Sequence, residues 1–415
     1  MLKSLRKERR PRDLLLVFEL FCIALLYLFP RQSQEGFDRS IIYLAVGLIT
    51  IIYVSNFALG KITTGDNYLF LIVSMLLSIG VVMTFRIEPS VGIRQLVWAL
   101  SGILLFYLTY FVVKYLPRLE RFVNLYVLVA VVLFVATLLF GSAQYGAKNW
   151  ITLGGGIAFQ PTEITKILLM FILASFYTRY EKYTTFRYPA MILMGLVYFF
   201  TMLLFLQPDL GTAVIFVALF TVVQFVYERD RRFVLLNIGL LCLGAILGYF
   251  LFSHVRVRVA IWRDPFADAY GKGRQIVQSL FAIAEGGFFG TGIGFGFPKL
   301  IPVSVSDFIF PVICEEMGIF MGIGIIMLYL LLVYRGIKIA LEQEYIFYRI
   351  LALCASVLFA IQAFLNIGGA IKLIPMTGLT LPFISYGGSS MLSSFMTLAI
   401  LQVTSEDLSV KYEKE

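Results

Sequence analysis

The sequence predicts an all-α polytopic membrane protein with about twelve transmembrane helices. Of its 415 residues, 60% are hydrophobic and only 14% are charged, whereas soluble domains average roughly 45–50% apolar residues. A bilayer core about 30 Å thick needs about 20 apolar residues per helix, and runs of about that length recur along the whole chain. The predicted spans are 13–30, 41–59, 68–85, 95–116, 123–141, 164–178, 189–206, 212–227, 233–252, 308–334, 347–371 and 387–403.

The first predicted helix follows a cluster of basic residues, as the apolar core of a signal peptide does. No small-residue cleavage site follows this run, so we expect it to remain as a membrane helix. The basic cluster consists of Lys3, Arg6, Lys7, Arg9, Arg10 and Arg12.

The distribution of Lys and Arg predicts the orientation. An even number of spans puts both termini on one side, and with the termini inside most of the 34 basic residues fall in inner segments. Because cytoplasmic loops carry the excess of Lys and Arg, we expect cytoplasmic termini and an outward-facing loop at 253–306. This bias explains the net charge of +9 without a nucleic-acid partner.

Cysteine and histidine usage excludes several site classes. The four cysteines, at 22, 242, 314 and 354, fall in or beside spans with no close pairing, which is typical of free buried thiols. His254 is the single histidine, so multi-histidine metal sites are excluded.

Polar residues collect in four outward segments, at 142–166, 207–212, 253–316 and 372–390. Ionisable groups are costly near the membrane and usually serve function there. The cytoplasmic loops are short and no soluble domain is visible, so any chemistry is expected on the outer face.

The first two outward segments each have a structural and a functional interpretation. Pro161 can open a helix with Glu163 in its first turn, and Lys166 follows on the same face, which predicts an ion pair. Spacing alone favours a structural role for this pair. Asp209 either caps the helix that begins after Gln207-Pro208 or faces substrate from a broken helix.

The long outer loop is basic and then glycine-rich. Its glycines, between 286 and 296, lack the spacing of a nucleotide loop. Flexible backbone beside basic side chains suits a phosphate-bearing ligand, although a basic loop also suits contact with membrane lipids. The polar side chains before the glycines are Arg256, Arg258, Arg263, Lys272, Arg274, Gln275 and Gln278.

Three acids lie near the start of the span at 308–334. Asp307 could be an N-cap, which contributes about 1 kcal/mol. Glu315 and Glu316 follow along the same helix, and three acids exceed what capping requires. We therefore expect at least one to touch substrate, a metal or a basic partner.

Five of these stretches resemble the shape, elongation, division and sporulation (SEDS) family, the relatives of RodA, FtsW and SpoVE. In order they read GAKNWITLGGGIAFQPTEITK, QPDLGTA, RQIVQSLFAIAEGGFFGTGIGFG, SDFIFPVICEEMG and LIPMTGLTLPFISYGGSS, and the match covers about 67–403. The family has ten spans. The resemblance therefore implies a core at 67–405, an added helical pair within 1–66 and a cytoplasmic tail at 406–415.

The resemblance implies a bacterial plasma-membrane glycosyltransferase. Members polymerise lipid II on the outer face, release undecaprenyl pyrophosphate, and work with a class B penicillin-binding transpeptidase in elongation, division or sporulation. The family's essential acid falls on Asp307. Positions that match its other motifs, as substrate-binding or supporting residues, are Trp150, Glu163, Lys166, Gln207, Asp209, Arg258, Gln278, Thr377 and Ser385.

Sugar transfer needs a base for the acceptor hydroxyl and cations for the departing pyrophosphate. The resemblance makes Asp307 the base, with Lys166 and Arg258 as phosphate contacts. Glu163 would orient Lys166 or, with Asp307, hold a divalent cation such as Mg²⁺ or Mn²⁺.

Two departures leave alternatives open. The family usually has an acid and a His-Thr pair before the essential acid, where this chain has Val303 and then Val305-Ser306. The competing interpretations are a flippase or transporter of the lipid-linked precursor and a noncatalytic scaffold for a transpeptidase.

Overall fold

The computed structural model describes residues 13, 15–21, 23–24, 39–144, 147–152, 158–183 and 188–407. Nearly all of these residues are helical, as predicted. The α-helices in the range 39–407 are α1 (Arg39–Ile62), α2 (Tyr68–Ile87), α3 (Pro89–Tyr115), α4 (Val123–Phe140), α5 (Pro161–Thr178), α6 (Tyr180–Tyr183), α7 (Pro189–Leu206), α8 (Leu210–Tyr227), α9 (Arg231–Leu251), α10 (Ser253–Arg263), α11 (Arg274–Gly286), α12 (Ile309–Glu342), α13 (Ile346–Ala370) and α14 (Gly388–Thr404).

A small antiparallel sheet lies between α4 and α5, in the first outward segment. Its strands are β1 (Ser142–Gln144), β2 (Ala147–Thr152) and β3 (Ala158–Phe159), in the order β1-β2-β3. The all-α fold class is confirmed, and this short sheet is a local addition that the sequence did not predict. Trp150, Ile151 and Thr152 are of residue types that favour strands. The segment is short, however, and the long apolar runs on either side give a much stronger signal.

Nine of the described helices are long and apolar enough to cross a membrane. They correspond to nine of the twelve predicted spans, and the total of twelve is not confirmed. The predicted span 13–30 lies largely outside the described residues, and those described between 13 and 24 are helical. The spans 164–178 and 387–403 form α5 and α14, which are more polar than the other nine.

α5 and α14 form the centre of the bundle. α14 packs on α3, α5 and α13, and α5 packs on α4, α13 and α14. Most of their residues are buried. Because other helices surround them, their Ser, Thr and charged side chains need not meet acyl chains, which makes their polarity tolerable.

The bundle has two polar ends, which α3 connects. At one end, Gln95 Nε2 donates to the Ser385 carbonyl at 3.0 Å. At the other end, Lys114 Nζ lies 2.8 Å from Glu406 Oε2. Glu406 was predicted to begin the cytoplasmic tail, but it is buried, so the packed fold extends at least to this residue.

Candidate active site

Asp307 lies at the end of the outer loop, in the turn before α12. The structure excludes the N-cap explanation, because Phe308 holds the cap position and no side chain caps this helix. The carboxylate instead accepts a hydrogen bond from the Ser306 side chain. It is half-buried and lines a narrow cleft together with Asn366, Thr377 and Gly378.

The backbone around Asp307 is fastened to two other elements. The Asn366 amide in α13 donates to the Asp307 carbonyl at 3.0 Å. In the last outer loop, Ser385 Oγ donates to the Ser306 carbonyl at 2.5 Å and the Tyr386 N–H donates to the Val305 carbonyl at 2.8 Å. Three successive carbonyls are therefore held, which fixes where the carboxylate points.

Arg258, in α10, lies next to this cleft. Its Nη1 donates to the carbonyls of Met376 and Thr377, at 3.0 and 2.8 Å. These bonds bring the guanidinium beside Gly378, which adopts a φ of 74°. A Cβ at Gly378 would lie 3.7 Å from Asp307 Oδ2 and 3.8 Å from Arg258 Nη2. The acid and the cation thus face the same short piece of backbone.

Burial and charge act in opposite directions on the Asp307 carboxyl. Burial raises its pKa to about 6, against the lowering effects of the Ser306 hydrogen bond and the Arg258 charge. Burial also lowers the pKa of Arg258, and the nearby Asp209 and Asp307 carboxylates oppose that shift. An acid with a pKa close to neutrality is suited to accept and release a proton during a reaction.

Asp209 is a structural hub at the start of α8. Its carboxylate caps that helix by accepting from the Thr212 N–H at 3.1 Å, and it also accepts from the Thr212 hydroxyl at 3.0 Å. Asn149 Nδ2 and Gln160 Nε2 donate to it at 3.1 and 3.4 Å. The capping interpretation is confirmed, and Asp209 additionally joins the sheet segment to α8 near Arg258.

Glu163 and Lys166 form the predicted ion pair, with 2.8 Å between Oε2 and Nζ. The Ser393 hydroxyl in α14 donates to the same Glu163 oxygen. Lys166 is 1% exposed and Glu163 is 5% exposed, and neither lines the cleft of Asp307. Their contact with phosphate or a cation stays a prediction, since it requires a different arrangement of α5 and α14.

Two of the other candidate residues bind backbone carbonyls or N–H groups, and two are partly exposed. Gln207 is fully buried, and its Nε2 donates to the Phe134 carbonyl at 3.3 Å. Ser385 binds backbone on both sides, because its Oγ also accepts from the Leu381 N–H at 2.8 Å. Trp150 in β2 and Gln278 in α11 are half-buried. Of these candidates, the structure groups Asp307, Arg258 and Thr377 around one cleft, and Ser385 braces the turn behind it.

The family model described as "Cell cycle protein", which covers FtsW, RodA and SpoVE, matches residues 83–409. The chain belongs to this family. Similar curated proteins include peptidoglycan glycosyltransferase RodA of Mycobacterium tuberculosis (strain ATCC 25618 / H37Rv), 33% identical over 423 residues, which cover 95% of this chain and 90% of the relative. Stage V sporulation protein E of Bacillus subtilis (strain 168) is 33% identical over 361 residues, covering 82% of this chain and 97% of that protein.

Solved structures of two proteins resemble this FtsW/RodA/SpoVE family member. A crystal structure of Thermus thermophilus rod shape determining protein RodA gives a TM-score of 0.58 at 27% identity, covering 82% of this chain and 96% of that one. A chain from a structure described as showing "Structural coordination of polymerization and crosslinking by a peptidoglycan synthase complex" gives 0.67 at 28% identity, covering 82% and 97%.

In this family member, the glycine-rich run binds two acids, contrary to our expectation of a flexible phosphate-binding backbone. The Gly294 N–H donates to Glu316 at 3.1 Å, and the Phe297 N–H donates to Glu315 at 2.8 Å. The glycines also wrap the kink of α12 at Gly318, where the Ile319 N–H donates to the Gly287 carbonyl at 2.9 Å. A Cβ at Gly286, Gly290 or Gly296 would lie less than 3.0 Å from Cys314 or Glu316, so close packing explains these three glycines.

The expected basic partner of the acids is Arg86, in the last turn of α2. Its Nη2 lies 3.1 Å from Glu316 Oε1, and Glu316 is 1% exposed. Two of the three acids near the start of α12 are therefore engaged in holding the outer loop. Asp307 alone of the three faces the cleft.

The described residues contain no group of three or more His, Cys, Asp or Glu side chains placed to hold a metal ion. Glu163 is engaged with Lys166 and Ser393, so it does not fit a cation site shared with Asp307 in this arrangement. Asp307 does fit a Mg²⁺ ion bound mainly through phosphate oxygens and water, because such ions often use only one or two carboxylates.

Sequence reasoning missed Asn366, which joins both walls of the cleft. Its Nδ2 donates to the Asp307 carbonyl and, at 2.6 Å, to the Leu379 carbonyl. The signal was present, because a buried amide in a long apolar run is costly unless it is hydrogen-bonded. No outer-segment motif contains it, so it was counted as part of a membrane helix.

Proposed function

We propose that this chain is a peptidoglycan glycosyltransferase that polymerises lipid II, with Asp307 as the general base. The observation that carries the proposal is the half-buried Asp307 carboxylate, with a pKa raised to about 6, which lies beside Gly378 together with Arg258. Its relatives are named peptidoglycan glycosyltransferases, and this pair supplies the acid-base group and the cation that such a reaction needs.

In the proposed reaction, the acceptor sugar's hydroxyl oxygen attacks the anomeric carbon of the lipid-linked donor. Asp307 accepts the hydroxyl proton while the bond between that carbon and the pyrophosphate oxygen breaks. The pyrophosphate leaves with the bonding electron pair, and Arg258 stabilises its negative charge. Arg258 is half-buried, and its interaction with phosphate is strengthened where water is excluded.

Lys166 is a second proposed phosphate contact. Its burial means that it reaches pyrophosphate only if α5 and α14 separate. Until then Lys166 is held by Glu163, which also accepts a hydrogen bond from Ser393. Trp150, Gln207, Asp209, Gln278, Thr377 and Ser385 are proposed to bind substrate or to support the residues that do. Asp307 would hold a divalent cation such as Mg²⁺ or Mn²⁺, which would supply positive charge to stabilise the leaving group.

The site is proposed to lie on the outer face of the bacterial plasma membrane, with both termini in the cytoplasm. The distribution of Lys and Arg supports this orientation, and Asp307, Arg258 and Asp209 all lie at one end of the bundle. Polyprenyl tails would lie along the lipid-facing helices. Acids gathered at one end suit a surface reaction better than transport, which favours charged groups near the bilayer midplane.

We propose a class B penicillin-binding transpeptidase as the partner. A structural relative comes from a complex described as coordinating polymerisation with crosslinking, and a strand-making enzyme needs a crosslinking activity close by. Whether the chain serves elongation, division or sporulation would then depend on which transpeptidase it binds.

The test is polymerisation of purified lipid II by the detergent-solubilised protein, with and without its transpeptidase partner. The expected result is glycan polymer from the wild-type protein and none from Asp307→Asn at equal amounts of folded protein. Polymer from the Asp307→Asn variant at the wild-type rate would exclude Asp307 as the base. Absence of polymer from the wild type, even with the partner, would favour the scaffold interpretation.

A further inference from the structure

The amide orientation of Asn366 is fixed by its neighbours. Its Nδ2 lies 3.0 Å from the Asp307 carbonyl oxygen and 2.6 Å from the Leu379 carbonyl oxygen. Carbonyl oxygens only accept hydrogen bonds, so the donating NH₂ group must face them. The Asn366 amide oxygen consequently points away from both carbonyls.

That oxygen is buried and has no hydrogen-bond partner, and the Thr377 hydroxyl oxygen is in the same situation. Asn366 itself is 5% exposed. Both side chains line the cleft that contains Asp307. Unpaired buried polar atoms are rare in folded proteins, and two of them in one cleft beside the Asp307 carboxylate indicate a position for a polar ligand.

The rest of the cleft offers little competition for a polar ligand. Its other lining residues contribute apolar side chains or backbone, and they are Phe308, Leu365, Ala370, Met376, Gly378 and Leu379. A ligand that satisfies the site must bring a hydrogen-bond donor for the amide oxygen and a donor or acceptor for the hydroxyl. A sugar hydroxyl provides both in one group.

We propose that Asn366 and Thr377 bind a hydroxyl of the sugar that reacts at Asp307. The Asn366 amide oxygen accepts the hydrogen bond of this hydroxyl, and the Thr377 hydroxyl donates to its oxygen. This inference rests on the proposed glycosyltransferase function and deepens it, because it specifies how the sugar is held against the base. Asn366 also positions Asp307 through its NH₂ group.

Thr377 separates sugar binding from a structural role. Its Oγ1 bonds to nothing in the protein, so a purely structural account predicts that Thr377→Val leaves activity unchanged. We expect Thr377→Val to retain or raise the unfolding temperature, because an unpaired hydroxyl is removed from the interior. We expect its kcat/KM on lipid II to fall about tenfold, mostly through KM. Thr377→Ser, which keeps a hydroxyl, should recover most of that loss.

Asn366 is tested against a matched asparagine far from the cleft. Asn237 in α9 is also fully buried, and it donates to Thr221 at 2.9 Å and accepts from Tyr198 at 2.8 Å. Both Asn366→Ala and Asn237→Ala should lose stability. At equal amounts of folded protein, only Asn366→Ala should lose kcat/KM, by about tenfold or more, while Asn237→Ala should stay close to the wild type.

The outcomes separate this inference from the proposed function. If the wild type polymerises lipid II and Thr377→Val has the same kcat/KM, the sugar-binding inference is overturned while the proposed function stands. If the wild type makes no polymer, the proposed function fails, and the inference is decided by binding alone. In that case lipid II should raise the unfolding temperature of the wild type and not of Thr377→Val. An equal rise in both proteins, or no rise in the wild type, overturns the inference.

Discussion

Arg258 and Asp307 meet at Gly378, where an added Cβ would lie 3.7 Å from Asp307 Oδ2 and 3.8 Å from Arg258 Nη2. Arg258 is held there by hydrogen bonds to two backbone carbonyls. The turn that carries Asp307 is held by hydrogen bonds that its own carbonyls accept from α13 and the last loop. The cation is close enough to lower the pKa of the acid, against the effect of burial. Because of these hydrogen bonds, both groups are fixed in place before substrate binds.

Asp307→Asn should abolish polymerisation and stabilise the folded protein. The raised pKa of Asp307, about 6, means that the folded state favours the protonated carboxyl. The protonated Asp307 carboxyl therefore contributes to the free energy of unfolding below the unfolded pKa of about 4. This contribution is lost as pH rises through the folded pKa of about 6. Thermal unfolding should therefore show the wild type losing stability over this interval relative to Asp307→Asn, which has no carboxyl to ionise. Parallel unfolding temperatures from pH 4 to 8 would contradict this account.

The pH dependence of activity should follow the Asp307 carboxyl. Below a pKa of about 6 the group is protonated and cannot accept the acceptor's proton, so kcat/KM should fall about tenfold per pH unit. Arg258→Gln removes the charge that lowers this pKa, so the acidic limb should move to higher pH. Arg258→Lys keeps the charge and should leave the limb in place, with a lower maximal rate. If the acidic limb of the kcat/KM profile falls at the same pH in both variants, a group other than Asp307 controls the pH dependence.

Gly378→Ala should lose both stability and activity. The φ of 74° is unfavourable for a residue with a Cβ, at a cost of roughly 1–2 kcal/mol. The added methyl group would also contact both Asp307 and Arg258. Polymerisation should fall more than the folded fraction does, which can be checked by rate per folded molecule. Gly195→Ala in α7, where a Cβ meets nothing within 4 Å, is the control and should keep wild-type activity.

Helix positions were predictable from the sequence because apolar runs of membrane length carry a strong signal. The sequence also indicated that α5 and α14 are helices, but not that they are central. Their burial depends on which helices surround them, and spacing along the chain does not contain that information. The β2 strand was missed because six residues between two apolar runs give little periodicity to detect.

Within the site, motif matching identified Asp307 and Arg258, which lie far apart in sequence and meet in the structure. It could not tell that Glu315 and Glu316 serve the glycine-rich run, since backbone N–H donors are invisible in a sequence. Asn366 was overlooked for a related reason. Its partners are the carbonyls of Asp307 and Leu379, and any residue type provides a carbonyl.

The Glu163–Lys166 pair can be assigned to structure or to chemistry by comparing single and double variants. Removing one partner of a buried ion pair leaves the other charge buried and unpaired, so Glu163→Gln alone should cost about 3–5 kcal/mol of stability. The double variant Glu163→Gln/Lys166→Met leaves no charge and should recover much of that stability. If Lys166 contacts phosphate as proposed, the double variant should still lose at least about tenfold in kcat/KM.

The matched control for that pair is Lys114 with Glu406, which lie 2.8 Å apart at the opposite end of the bundle. Glu406→Gln/Lys114→Met should recover stability in the same way and keep its activity, because this pair is remote from the cleft. Stability is measured by thermal unfolding in detergent, and activity by polymer formed per folded molecule. Full activity in the Glu163→Gln/Lys166→Met variant would make that pair structural only and would leave Arg258 as the cation that stabilises the departing pyrophosphate.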